Sequence, residues 1–388
     1  MAAVPSPSEI QAAVLRSLEG TPFAAKSLVP LSGGTANFIF LADLVQPLDG
    51  VAQVLVKHGE DFLASNPGFE LPTSRCRVED ACLQALSSSA VDTSTAPGHQ
   101  ENGYRYVVRT PKHYPFPQDP TTQIQEYLSN GTNLKAYALE QWAASSPAAT
   151  NLRPQCRTLG LAVGRWLRTF HDSSELHREE LHGAVAANRV MQRLKHTINF
   201  QWLLDRVAQF PDILEEALPV FKEVKEMATA ELHDEKRLQV IHGDFWTGNI
   251  LLPNAPILPS AEAVPVFVVD WEMAQLGLPN LDLGQMLAEM YELWLYKRIR
   301  GGLWMMEGLV EGYGAVTEAF ALRTAIQLGA HLVCFGTSVP GWGAPEQVRE
   351  VARRGRDIIS HAWRKDRAWF EKEGGGGELA GLFSTAQP

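Results

Sequence analysis

Cysteine is scarce: Cys76, Cys82, Cys156 and Cys334 are the only four in 388 residues, and no two form a CxxC pair. So few thiols at such spacings argue against a disulfide framework or a cysteine-held zinc, and lead to the expectation of a reducing, cytoplasmic compartment. Basic charge is also short, with 34 Lys and Arg against 44 Asp and Glu and a net charge of −10. A chain without a basic face has little to offer a phosphate backbone or an anionic bilayer, so neither nucleic acid nor membrane is expected as a partner. No uninterrupted apolar run approaches the roughly 18 residues of a spanning helix, and the N-terminal segment lacks the basic and apolar blocks of a secretory leader. No HExxH or HxxxH pattern supports zinc. The composition that remains, 45% hydrophobic and 20% charged, is that of a core-forming chain long enough for two lobes.

The periodicity predicts a short amphipathic helix over Ser6–Glu19, stopped at Gly20. Three strands follow, at about residues 25–31, 36–45 and 51–58, with turns at Gly33-Gly34 and at Pro47–Gly50. A helix at about Ser74–Leu86 leads into SSSAVDTSTAPGHQENG, which reads as a surface linker. Two further strands, Tyr104–Arg109 and Gln123–Leu128, flank the proline-rich PKHYPFPQDP, which cannot be a central strand. After Asn130-Gly131 the pattern is helical apart from two short strands, Leu238–Ile241 and Val266–Val269. The expected class is α+β: a small antiparallel-sheet lobe at 1–127, a larger, mainly helical lobe at 128–372, and a loose, glycine-rich tail at 373–388.

The strongest chemical signal is VIHGDFWTGNILL, Val240–Leu252, followed by VFVVDWE, Val266–Glu272. Polar groups between two apolar strands are costly unless something uses them, and Asp244, Asn249 and Asp270 are hard oxygen donors suited to magnesium. Asp244 and Asn249 lie five residues apart, the separation found in a catalytic loop where the Asp receives a hydroxyl proton and the Asn holds a metal ion. Upstream, Ser32-Gly33-Gly34-Thr35 forms a turn whose backbone amides can approach phosphate oxygens. Lys57 is the only charge in the next apolar strand, and Glu79 lies in the helix beyond it. A buried lysine needs an anion, and a Lys57–Glu79 pair supplies one.

In this order, from LSGGTANF through VLVKH, Glu79, HGDFWTGN and DWE to LDLGQML, the chain resembles the kinase-like small-molecule phosphotransferases, a family that includes aminoglycoside phosphotransferases, choline kinases and 5-methylthioribose kinases. DFWTGNILL, VVDWEMAQLGLPNLDLG and AHLVCFGTSVPGWGAPEQV are most similar to its fungal methylthioribose-kinase-like members. The resemblance implies a bilobal protein-kinase-like fold, ATP and Mg2+ as cofactors, and a small-molecule hydroxyl acceptor. It makes Asp244 the base, Asn249 and Asp270 the magnesium ligands, and Lys57, supported by Glu79, the phosphate-holding group. The turn from Ser32 to Thr35, with Asn37 beside it, would cover the nucleotide, while Glu126 to Leu128 would offer hinge backbone to adenine. Glu272 is read either as assisting magnesium through water or as a solvated charge. Trp246 and Trp271 are expected near the acceptor because of their sequence neighbours.

HGD in place of HRD, DWE in place of DFG and the lack of a phosphorylatable activation loop after DWE point away from a protein acceptor. His242 reads as a brace of the catalytic loop, Asp282 as a helix N-cap or a brace of that loop, and His171-Asp172 as a helix-terminal pair. The expected activity is phosphorylation of a hydroxyl on a small metabolite. A hydroxylated amine is favoured by the acidic net charge, a thio-sugar is the main alternative, and a pseudoenzyme scaffold the more distant one.

Overall fold

Ser6 starts the first helix, Pro7–Ser17, through a capping box: its hydroxyl accepts from Glu9 N–H, while the Glu9 carboxylate accepts from Ser6 N–H at 2.7 Å. Ile10, Val14 and Leu18 then fall on one face and enter a core with Phe40, Ala42, Leu44, Val54, Val56 and Ile124. The computed structural model describes residues 4–87, 103–143, 152–173, 180–260, 262–372, 376–384 and 386–387. The linker expected at 87–103 lies almost wholly outside them.

The chain divides into two units. The first comprises Met1–Ser89, Thr110–Ser129 and Asp270–Met273, and the second the remainder. The first unit is built on a five-stranded antiparallel sheet ordered Ala25–Pro30, Phe38–Leu48, Val51–His58, Thr122–Glu126, His113–Tyr114. The last strand lies in the proline-rich segment and sits at the sheet edge, where missing N–H groups do no harm. Strand period decides what Lys57 faces. Val54 and Val56 are fully buried in the core against the first helix, so Lys57 turns to the opposite face. There it sits in register with Gln123, and helix Ser74–Ser87 packs over this polar face, Gln123 Nε2 donating to Cys76 O at 2.6 Å.

The strand expected at Tyr104–Arg109 forms as Tyr106–Arg109 but belongs to the second unit, contrary to the expected 1–127 lobe. It pairs in parallel with Val264–Val268, in a sheet completed by Ile250–Pro253 and Gly131–Asn133. An apolar alternation marks a strand without naming its neighbour, so the sequence pattern could not show this.

The rest of the second unit is mainly helical. Helices Leu152–Ser173 and Arg300–Tyr313 approach closely enough that a Cβ on Gly160 or Gly164 would lie 2.2 Å from Met305 O or Leu309 O. A Cβ on Gly308 or Gly312 would meet the opposite helix equally closely. Backbone-to-backbone contact of this kind admits only glycine. The segment Glu318–Gly336 is long and apolar enough to cross a membrane by length and composition, and 83% of its apolar window is buried inside the protein. The glycine run leads one to expect a loose tail. Instead, Leu379, Leu382 and Phe383 are buried, with Phe383 stacked on Phe370 at 4.4 Å between centroids. Three apolar side chains on one helical turn provide the burial that holds this segment in place.

Candidate active site

In the first unit, Lys57 Nζ lies 2.6 Å from Glu79 Oε2 and also pairs with Asp270 Oδ1. Burial alone would depress the ammonium, but the charges of Asp270, Glu79 and Glu272 override it and hold Lys57 well above the ordinary lysine range. Asp270 occupies the left-handed region at φ 69°, which a short polar side chain tolerates.

Arg75, missed in the sequence, ties this cluster together. It is fully buried, and its guanidinium donates to Glu272 Oε2 at 3.1 Å, Asn37 Oδ1 at 3.0 Å and Ala36 O at 3.1 Å. It also donates to the carbonyls of Glu60, Leu71 and Pro72. A signal was present: Arg75 and Glu79 are four apart on the helix stripe that also carries Cys82, Leu83 and Leu86. Charge on an otherwise apolar stripe implies buried partners.

Glu272 is 5% exposed, which excludes the solvated-charge reading. Burial, then the neighbouring Asp270 charge, push its carboxyl up to about 7 against the pull of Lys57 and Arg75. Asn37 is likewise internal: Nδ2 donates to Glu272 Oε2 at 2.6 Å and Oδ1 accepts from Arg75, so its side chain braces the turn instead of reaching a nucleotide. In that turn Ser32, Gly33 and Thr35 are exposed. Gly33 has φ 113°, and a Cβ on Gly34 would lie 2.6 Å from Asn37 O, so both positions need glycine. Glu126 N–H donates to Lys112 O at 2.8 Å and its carboxylate accepts from Lys112 N–H at 2.9 Å, which removes that amide from any ligand; Leu128 is half-buried. Trp271 is fully buried, its N–H donating to Glu79 Oε1 at 3.3 Å, so it is a core residue and not part of an acceptor site.

In the second unit, strand Gln239–Ile241 pairs with Gln275–Gly277 and delivers His242-Gly243-Asp244. Asp282, in the first turn of helix Asn280–Lys297, accepts from His242 N–H at 2.8 Å and Gly243 N–H at 2.9 Å. Asp282 is held in turn by His171 Nε2 at 3.2 Å, and the other nitrogen of His171 meets Tyr313 Oη at 2.9 Å. The glycine-tight helix pair thus anchors the loop through His171, whose partner is Asp282; Asp172 pairs instead with Arg168. His242 is fully buried, accepts from Asp244 N–H at 3.2 Å and meets Val269 O at 3.0 Å. Phe245, also fully buried, stacks on Trp166.

Asp244 Oδ1 accepts from Lys195 Nζ at 2.9 Å and Gln285 Nε2 at 2.8 Å. Burial would raise this carboxyl, but the charge of Lys195 and the hydrogen bonds from Gln285 and Lys195 hold it below the usual carboxylate range. It is an ionised carboxylate. Asn249 Nδ2 donates to Asp244 O at 3.0 Å and lies 3.3 Å from Asp244 Oδ2, leaving the Asn249 amide oxygen for a hard cation. Lys195 and Gln285 were not foreseen. Lys195 shares a helical face with the buried Met191 and Gln192, which is its only sequence signal.

Trp246 is half-buried, and its ring lies over Gly248, where a Cβ would come 2.2 Å from it. The Lys135 ammonium lies 5.5 Å from the Trp246 ring and 4.5 Å from that of Trp342. Lys135 also meets Glu289 Oε2 at 3.0 Å, an oxygen that accepts from Thr247 of the catalytic loop at 3.2 Å.

The chain is similar to several known proteins. Phosphotransferase FrzJ of Cladobotryum sp is 27% identical over 372 residues, 94% of each chain. A 4-hydroxytryptamine kinase of Psilocybe cyanescens is 24% identical over 351 residues, 89% of each. A solved choline/ethanolamine kinase family protein from Mesorhizobium loti aligns with a TM-score of 0.44 at 16% identity, over 96% of this chain and 99% of that one. Residues 103–319, more than half the chain and including the whole Asp244 loop, match the model of the phosphotransferase enzyme family. The chain therefore belongs to the phosphotransferase enzyme family and is a kinase of the small-molecule class.

Proposed function

We propose that this enzyme transfers the γ-phosphoryl group of ATP, with magnesium, to a hydroxyl group of a small, hydroxylated amine. The observation that carries it is the buried Lys57 ammonium shared by Glu79 of the following helix and by Asp270, 213 residues away. A lysine fixed between a helix carboxylate and a metal-binding Asp is the arrangement kinases use to hold nucleotide phosphates.

The oxygen donors suit magnesium. Glu79, Asp270 and Glu272 present carboxylate oxygens within 4.8 Å of one another, a concentration of negative charge that a cation relieves. In the first unit Asp270 is the ligand we assign, and Glu272, buried and bonded to Arg75, stabilises the cluster; in the second unit the Asn249 amide oxygen is a further hard donor. When bound, magnesium neutralises phosphate charge. Lys57 holds phosphate oxygens, and the exposed Ser32–Thr35 turn offers backbone N–H groups to them. Asp244 orients the acceptor hydroxyl and takes its proton as the new O–P bond forms and the bond to ADP breaks. Catalysis rests on positioning and charge.

An amine acceptor is supported by the 4-hydroxytryptamine kinases among the relatives and by the acidic net charge. The test is a coupled ADP-release screen across hydroxyindoles, amino alcohols, methylthioribose and polyols with Mg-ATP. Release that depends on a hydroxylated amine supports the proposal. Release with methylthioribose alone replaces the acceptor, and release with none refutes transfer.

A further inference from the structure

We infer that Lys195 and Gln285 are positioning residues for Asp244, an assignment that rests on the phosphotransfer reading above. The three side chains form a closed triangle. Lys195 Nζ donates to Asp244 Oδ1 at 2.9 Å and to Gln285 Oε1 at 2.7 Å, and Gln285 Nε2 donates to the same Asp244 Oδ1 at 2.8 Å. A buried lysine requires a counter-ion, and any carboxylate would meet that need. The closing amide bond is what goes beyond it. Two donors converge on a single oxygen, so the carboxylate cannot turn without breaking both, while among the described residues Oδ2 keeps only the longer contact to Asn249.

Exposure is divided in the same way. The Lys195 side chain is 5% exposed and that of Asp244 29%, so the ammonium grips the carboxylate from the interior. The helix Arg189–His196 that carries Lys195 is itself fastened: Asn188 Nδ2 donates to Ala274 O at 2.8 Å and Gln192 Nε2 to Leu276 O at 2.7 Å. Leu276 lies on the strand paired with the one that leads into His242. Donor and base are therefore built on the same two-stranded sheet. Asp244 Oδ2 is then the atom that receives the acceptor proton, and after transfer the neutral carboxyl stays hydrogen-bonded to Lys195 and Gln285.

The test is steady-state kinetics of the full chain with Lys195→Met, Lys195→Arg and Gln285→Met, each alone and combined with Asp244→Asn. Lys195→Met is expected to lower kcat about 10- to 100-fold, the loss that a displaced catalytic group produces. The KM for ATP should stay within about twofold, because ATP is held elsewhere. Lys195→Arg, which keeps the charge and a donor, should recover part of the rate. With Asp244→Asn present, none of the three substitutions should lower the residual rate further, since residues acting through one group are not additive. Full activity of Lys195→Met, or equal losses in both backgrounds, overturns the assignment. If Lys195→Met does not fold, Gln285→Met removes one donor without changing charge, and an unchanged kcat in that variant overturns it as well. A wild-type enzyme that releases no ADP with any acceptor refutes the phosphotransfer reading before any variant is compared, so the two failures are distinguishable.

Discussion

The Lys57 cluster and the Asp244 cluster are both buried and charged, but they are balanced differently. Around Lys57, two cations, Lys57 and Arg75, face three carboxylates, Glu79, Asp270 and Glu272. Burial, and then the Asp270 charge, push the Glu272 carboxyl up to about 7. Around Asp244, a single carboxylate meets one ammonium and two amides, and its proton affinity falls. The first cluster has room for another positive charge, whereas the second already holds its carboxylate ionised. One suits a metal ion and phosphates, the other a base that must stay deprotonated between turnovers.

The largest expected effect is in the second cluster. Asp244→Asn should lower kcat by about 10²- to 10⁴-fold, the usual worth of a positioned base, with ATP affinity by calorimetry nearly unchanged. In the first cluster, Lys57→Met should remove ATP binding and also destabilise the fold by about 3–5 kcal/mol in chemical denaturation, because it strands buried carboxylates. A stable Lys57→Met protein would mean that the cluster is not the tightly coupled unit described here. Magnesium binding should depend on the first cluster. Adding it without nucleotide should raise the melting temperature in a concentration-dependent way, EDTA should reverse this, and Asp270→Asn should abolish it.

The smallest effect sharpens the comparison inside one helix. Glu289 and Glu292 are both buried, yet His331 and Lys135 hold Glu289 below the ordinary range despite burial, whereas burial and the Glu289 charge drive Glu292 well above it. Glu289 adds stability above the ordinary carboxylate pKa and loses it as pH falls through its depressed value. Glu292 does the reverse: the folded chain keeps a proton that the unfolded chain has released, so stability from this source falls as pH rises past the ordinary range. Glu292→Gln should therefore match or exceed the wild type in melting temperature near about pH 8 and lose that advantage near about pH 5. Glu289→Gln should cost about 2 kcal/mol near neutrality by removing a charged acceptor.

These contrasts also mark what could be read in advance. Lys57, Glu79, Asp244, Asn249 and Asp270 sit in local motifs whose strand and turn context is visible in sequence, and so does the meander that carries Lys57. Arg75, Lys195 and Gln285 do not: each acts on a partner between 41 and 197 residues away, and only tertiary contact reveals it. The expectation for Trp271 erred because adjacency to Asp270 says nothing of which way a ring points, and this one is in the core. The Tyr106–Arg109 strand was recognisable as a strand, but its parallel partner lies more than 150 residues away.

The most direct test is ADP release by wild-type and Asp244→Asn enzyme with Mg-ATP and a hydroxylated amine, with the acceptor analysed by mass spectrometry. The account predicts saturable, acceptor-dependent ADP release by the wild type, one phosphate gained per acceptor hydroxyl, and near-total loss in the variant. ATP binding without acceptor-dependent release, or undiminished turnover by Asp244→Asn, would contradict it.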